Sequence, residues 1–201
     1  MSDLSEIELL KRAHDEFAVA RAHAINSYAE LELYLALLFQ RLLGAEAQKS
    51  FAVFASILNP RARLKMISTL LHLSCGDKFD TFFNSLAKKL ERIETTRNKI
   101  AHWIELTSQT GGKKFNPERD IALHAHPNLF AGGRLYKHEM AYFQKQTRFY
   151  GLLLHRFSVI VEHPEALDIG DPDKLSWRDI FSQEVSFPPA ENHPLNKHDA
   201  D

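Results

Sequence analysis

The first 43 residues constrain the fold more than any other stretch of the chain. Ile7, Leu10, Ala13, Phe17, Ala20, Ala24, Tyr28, Leu31, Leu35, Leu38 and Leu42 recur every three or four residues, the period that lays one apolar stripe along a helix. Ser5-Glu6-Ile7-Glu8 has the spacing of a capping box that would start it. From Leu31 to Leu43 nearly every position is apolar, which predicts that this half is surrounded by other helices. Gly44 is the expected stop. At about 1.5 Å per residue such a helix would exceed ~50 Å. It is therefore expected to bend, to break, or to project onto a second subunit.

The pattern continues as helices. A short one is expected over Ala45–Leu58, with Phe51, Phe54, Ile57 and Leu58 inward. Asn59-Pro60 ends it and starts a third, since proline suits a first helical turn. Leu64, Ile67, Leu70 and Leu71 carry that helix to Cys75-Gly76. A fourth runs from Phe79 to Ile104, with Lys88, Lys89, Arg92 and Lys99 on its exposed side. Residues 105–137 then break the period with Gly111-Gly112, Pro117, Pro127 and Gly132-Gly133. That insertion reads as loop, with short strands at 102–106 and 119–126; so long a loop in a compact domain suggests function or partial order. The last long helix spans about Lys137–Glu162. The fold class is thus all-α: a helical domain over 1–163, with the insertion before its last long helix. A tail over 164–201 holds five of the eight prolines and nine acids. In that tail Asp173–Gln183 is expected to form one short helix, and disorder is expected beyond Pro188-Pro189.

Bulk properties narrow the function classes. The single Cys75 leaves no intramolecular disulfide and no cysteine-based zinc site. No membrane span and no secretion signal are expected, which makes a soluble cytoplasmic protein the default. Residues 60–99 carry nine bases and four acids, and 103–161 eight bases and four acids. A basic middle followed by an acidic tail is consistent with polyanion binding. No phosphate loop, zinc-protease helix or nucleophile elbow is present. His124 and His126 would share one side of a strand, but no nearby carboxylate or thiolate completes a metal set, so neither metal nor cofactor is expected.

Arg97-Asn98-Lys99-Ile100-Ala101-His102 is the stretch with chemical content. An arginine offers a permanent cation and a fork of donors suited to phosphate oxygens. A histidine moves protons near neutral pH, and an asparagine can orient the ring or bond the phosphate. These groups suffice for metal-free RNA cleavage. Arg97 and His102 are five apart, about 140° around an ideal helix, so they converge only in a groove that wraps the helix, as between two subunits. Glu32 stands among covered residues of the first helix. The readings of it stay open: a solvated edge position, or a functional one in which it pairs with Arg97 or supports His102.

The hexapeptide resembles the Arg-Asn-x-x-x-His signature of the HEPN superfamily (higher eukaryotes and prokaryotes nucleotide-binding domains). The segment Tyr28-Ala29-Glu30-Leu31-Glu32-Leu33-Tyr34-Leu35 is similar to the first core helix of its bacterial members. The resemblance covers roughly residues 15–163, without the insertion and the tail. It implies a HEPN-like helical bundle that forms a homodimer with facing motif helices. It also implies a metal-independent endoribonuclease of toxin or phage-defence type, leaving 2′,3′-cyclic phosphate and 5′-hydroxyl ends. By carry-over Arg97 and His102 are catalytic, Asn98 assists and Glu32 supports. Arg61, Arg63, Lys88, Lys89, Arg92 and Lys99 are the candidates for tracking RNA. The alternative is a non-catalytic RNA- or nucleotide-binding module, or an interaction protein partnered with a nucleotidyltransferase antitoxin, for which Tyr136 is a candidate adenylylation site.

Overall fold

The computed structural model describes residues 6–107, 115–125, 133–169 and 171–196. Ser5 of the expected capping box, Gly111-Gly112, His126 and Gly132 lie outside the described residues. The chain is mostly helical, as the periodicity predicts. In order come α1 (Glu6–Leu43), α2 (Ala47–Ser56), α3 (Pro60–Cys75), α4 (Asp80–His102), β1 (Ile104–Thr107), α5 (Pro117–Asp120), β2 (Ile121–His124), β3 (Arg134–Leu135), α6 (Lys137–Glu162), a 3-10 turn (Pro164–Asp168) and α7 (Trp177–Ile180). Among the described residues no helix is long and apolar enough to cross a membrane.

The ends of these helices follow local chemistry. Gly44 and Gly76 adopt φ of 64° and 65°, the left-handed conformation that closes a helix and costs other residues more. Asn59 caps α3 by accepting from the amides of Arg61 and Ala62 at 2.9 and 3.3 Å, with Pro60 in the first turn. At α7, Ser176 accepts from the Asp179 amide and donates to the Asp179 carboxylate.

Two compact units divide the chain. The first unit takes Met1–Ala29 and Thr95–Lys145. Its core includes Phe17, Ala24, Tyr28, Ile100, Leu123, Leu135, Met140 and Phe143. The short strands expected at 102–106 and 119–126 appear as β1 and β2, and with β3 they make a three-stranded antiparallel sheet, in the order β1-β2-β3. Ile104 faces His124 and Thr107 faces Ile121 across the first pair, and Leu123 faces Leu135 across the second. Short strands with loose alternation gave a weak signal; burial of Ile121, Ala122 and Leu123 in succession fixes β2 inside the unit. Lys137, at the start of α6, bonds Glu16 at 2.9 Å, and that ammonium, with Arg12, holds the Glu16 carboxyl below its ordinary value.

The second unit takes Glu30–Glu94 and Gln146–Asp201. Its centre is aromatic: Phe82 lies 4.8 Å from both Phe157 and Phe181, ring to ring, and Phe79 meets Phe157 edge-on at 5.1 Å. Phe181 and Trp177 come from the stretch Asp173–Gln183, where one short helix is expected and α7 forms. The disorder expected beyond Pro188-Pro189 is corrected for the described residues, where His193 is buried. Trp177, Ile180, Phe181, Val185 and His193 are buried, Ser85 Oγ accepts from the Val185 amide at 3.0 Å, and the Leu175 amide reaches the Asn192 carbonyl at 2.9 Å. Apolar burial of about 1.5–3 kcal/mol per large side chain outweighs the ordering cost that the prolines and acids signalled.

His193 gives this tail a pH signature. Burial pushes its imidazole down to about 4, and its Nδ1 accepts from the Leu195 amide at 3.0 Å. The folded chain therefore holds fewer protons than the unfolded chain between pH 4 and the ordinary histidine value of 6.5. Stability is full above that window and falls as pH drops through it, by up to about 3 kcal/mol. Denaturation of the wild type and of His193→Asn, which keeps an acceptor for Leu195, should show that slope in the wild type and its loss in the variant.

Candidate functional site

The motif residues occupy the last two turns of α4, within the first unit. Ile100 is fully buried and anchors the helix, while Arg97 is half-buried and Asn98 and His102 are exposed. Arg97 Nη1 donates to Asn98 Oδ1 at 2.9 Å, and the guanidinium lies over the Tyr28 ring, 5.0 Å from its centroid. His102 is the last helical residue. The structure thus joins Arg97 to Asn98 and Tyr28 and presents His102 to solvent from the helix terminus. The wide angular offset expected between the arginine and the histidine matches this division of environments.

The carbonyls that end α4 have no partners within the helix, and a residue not anticipated from the sequence supplies them. Arg21 Nε donates to the Ile100 carbonyl at 2.8 Å, and its Nη2 donates to the carbonyls of Ala101 and Trp103 at 3.0 and 3.2 Å. A cation at a helix C-terminus also answers the macrodipole. The signal was present: Phe17, Arg21, Ala24 and Tyr28 follow one helical stripe, so Arg21 stands where the other three residues are buried. An arginine on a covered stripe requires acceptors. Lys99, in the same turn, lies with Nζ 5.3 Å from the Trp103 ring centroid.

The other expected site residues belong to the second unit. Glu32 has Arg63 as its partner, with Nη1 to Oε1 at 2.7 Å. Arg63 also donates from Nε to the Ile57 carbonyl at 2.6 Å and lies over the Phe54 ring at 4.8 Å. Three contacts hold Arg63 within this unit, and Glu32 is bonded in that pair. Arg61 is exposed and approaches Glu91 at 3.8 Å. Lys88 and Arg92 are exposed and Lys89 is half-buried.

His124 is alone among the described residues in combining a sheet position with a ring nitrogen that is buried and unbonded. Its Nε2 has no hydrogen-bond partner, and desolvation, then neighbouring Arg134, hold the imidazole below its ordinary value. Among the described residues no group of three or more His, Cys, Asp or Glu side chains is placed to hold a metal ion. Comparison with protein-family models, curated proteins and solved structures gives no match.

Arg21 is the residue whose loss should disturb the motif without touching it. Arg21→Gln removes charge-assisted bonds to three carbonyls and should cost about 1.5–3 kcal/mol. Denaturant unfolding reads the loss, and hydrogen exchange should show faster opening of the amides that follow Ile100. Unchanged exchange there would mean that the clamp does not hold the helix end.

Proposed function

We propose that the chain is a cytoplasmic HEPN-type endoribonuclease, acting as a homodimer without metal. The observation that carries this reading is the intact Arg97-Asn98-x-x-x-His102 spacing on a helix whose terminus is held by Arg21, with His102 accessible. In the proposed reaction one His102 imidazole accepts the proton of a ribose 2′-hydroxyl. The 2′-oxygen bonds to phosphorus, the bond from phosphorus to the 5′-oxygen breaks, and that oxygen takes a proton from the second His102 of the dimer. Arg97 stabilises the charge gathering on the phosphorane oxygens, and Asn98 keeps the guanidinium oriented. Lys88, Lys89, Arg92, Lys99 and Arg61 supply the sequence-independent phosphate contacts. The reading rests on the motif, and its place in toxin or phage-defence systems rests on the resemblance alone.

One observation favours a second reading. The Arg97 fork already meets Asn98 and the Tyr28 face, an arrangement that would suit a module binding RNA or a nucleotide without cutting it, or the partner of a nucleotidyltransferase antitoxin. In that case Tyr136, half-buried beside α6 and stacked on His138, is the acceptor to examine.

Incubating the purified protein with RNA in EDTA separates the two. The ribonuclease reading expects cleavage to cyclic-phosphate ends, loss of that cleavage in His102→Ala, and a fall of about 10²–10³-fold in Arg97→Ala. Tight RNA binding without cleavage by the dimeric protein supports the binding module instead. A monomer at micromolar concentration overturns the shared cleft.

A further inference from the structure

A second constellation lies in the first unit, outside the motif. Glu105 and Thr107 are two residues apart on β1 and so project from the same face of the strand. That spacing is about 7 Å, enough to bracket one imidazole with a hydrogen bond on each side, and His14 of α1 fills it. His14 Nδ1 lies 2.5 Å from Glu105 Oε1, and His14 Nε2 lies 3.1 Å from Thr107 Oγ1. An ionised carboxylate only accepts, so Nδ1 carries the proton facing Glu105. When the ring is neutral, its Nε2 lone pair faces Thr107, whose hydroxyl then donates. Carboxylate, imidazole and hydroxyl are ordered as in the relay that makes an alcohol nucleophilic. The ring remains reachable, since 37% of the His14 side chain and 24% of the Glu105 side chain are exposed.

We propose that Glu105, His14 and Thr107 form a nucleophilic centre for acyl esters, with Thr107 Oγ1 as the attacking atom. Oγ1 bonds to the acyl carbon while its proton passes to His14 Nε2. The ester C–O bond breaks, and the departing alkoxide takes that proton. Water then repeats the step on the threonyl ester, releasing the acid and restoring the hydroxyl. Glu105 holds the ring in the required tautomer and offsets the imidazolium charge. Among the described residues no lysine or arginine bonds to any of the three. Carboxylate, imidazole and hydroxyl in this order activate an alcohol for attack on an acyl carbon. The centre is independent of the ribonuclease reading, and either stands if the other fails.

A purely structural role, tying β1 to α1, would predict stability effects and no reactivity. The full-length protein is therefore treated near neutral pH with a fluorophosphonate. Its phosphorus bonds Oγ1, fluoride leaves, and the proton goes through His14 to water; adducts are located by peptide mass spectrometry. The expected result is one adduct on Thr107, retained in Thr107→Ser and absent in Thr107→Val. Labelling should slow by at least about 100-fold in His14→Gln, with thermal unfolding monitored to confirm that each variant is folded. No Thr107 adduct on the folded wild type overturns the proposal, as does labelling that proceeds equally fast in folded His14→Gln. If His14→Gln fails to fold, Glu105→Gln takes its place under the same criteria.

Discussion

The Arg21 guanidinium terminates α4 by occupying the carbonyls of Ile100, Ala101 and Trp103, and the geometry of the first unit follows from that placement. With the helix end held, the chain leaves as β1 and runs back along α1. Seven residues separate His14 from Arg21, about 10 Å of helix. The strand covers a comparable length between the clamped carbonyls and Glu105 and Thr107, at about 3.3 Å per residue. The hydrogen bonds of His14 are thus the second pair of contacts along one antiparallel track. A helix that offered only apolar side chains here would hold β1 by burial alone, and burial does not choose a register as sharply as directed bonds do.

The amphipathic period located α1, α3, α4 and α6 closely, because each buries a stripe long enough to show it. It also misdirected attention. Its apolar members alone do not mark His14 and Arg21, although both lie in register with Phe17, Ala24 and Tyr28. Polar groups at covered positions must be satisfied, and here they define which segment packs there. The partner of Glu32 was illegible for a related reason: its bond with Arg63 depends on how α1 and α3 meet within the second unit, and no local spacing encodes that.

The tail was legible as far as its short helix and not beyond Pro189, and the residues that decide its order are few and large. Trp177, Ile180 and Phe181 share one side of α7, and Phe181 enters a ring cluster with Phe82 and Phe157. Arg156 sits over the Trp177 ring at 5.1 Å and donates from Nη2 to the carbonyls of Ala166 and Ile169, so the 3-10 turn that leads into the tail is held as well. Beyond Pro189 average composition hides the buried His193, because the contribution of such an anchor scales with buried area rather than with number.

Residues 97–107 carry both candidate chemistries, and the change of secondary structure within them separates the two. As far as His102 the period is helical, and the exposed His102 stands well around the axis from Arg97, which is held by Tyr28. From Ile104 onward the period is two, so Glu105 and Thr107 turn to His14 while Ile104 and Leu106 remain exposed. Extending the helix by one turn would carry Glu105 and Thr107 off a common face, about 200° apart, and the relay could not form. The carbonyl clamp at Ile100–Trp103 therefore does more than end a helix: it sets the residue at which the periodicity changes, and that residue decides which side chains in this stretch face solvent and which face α1.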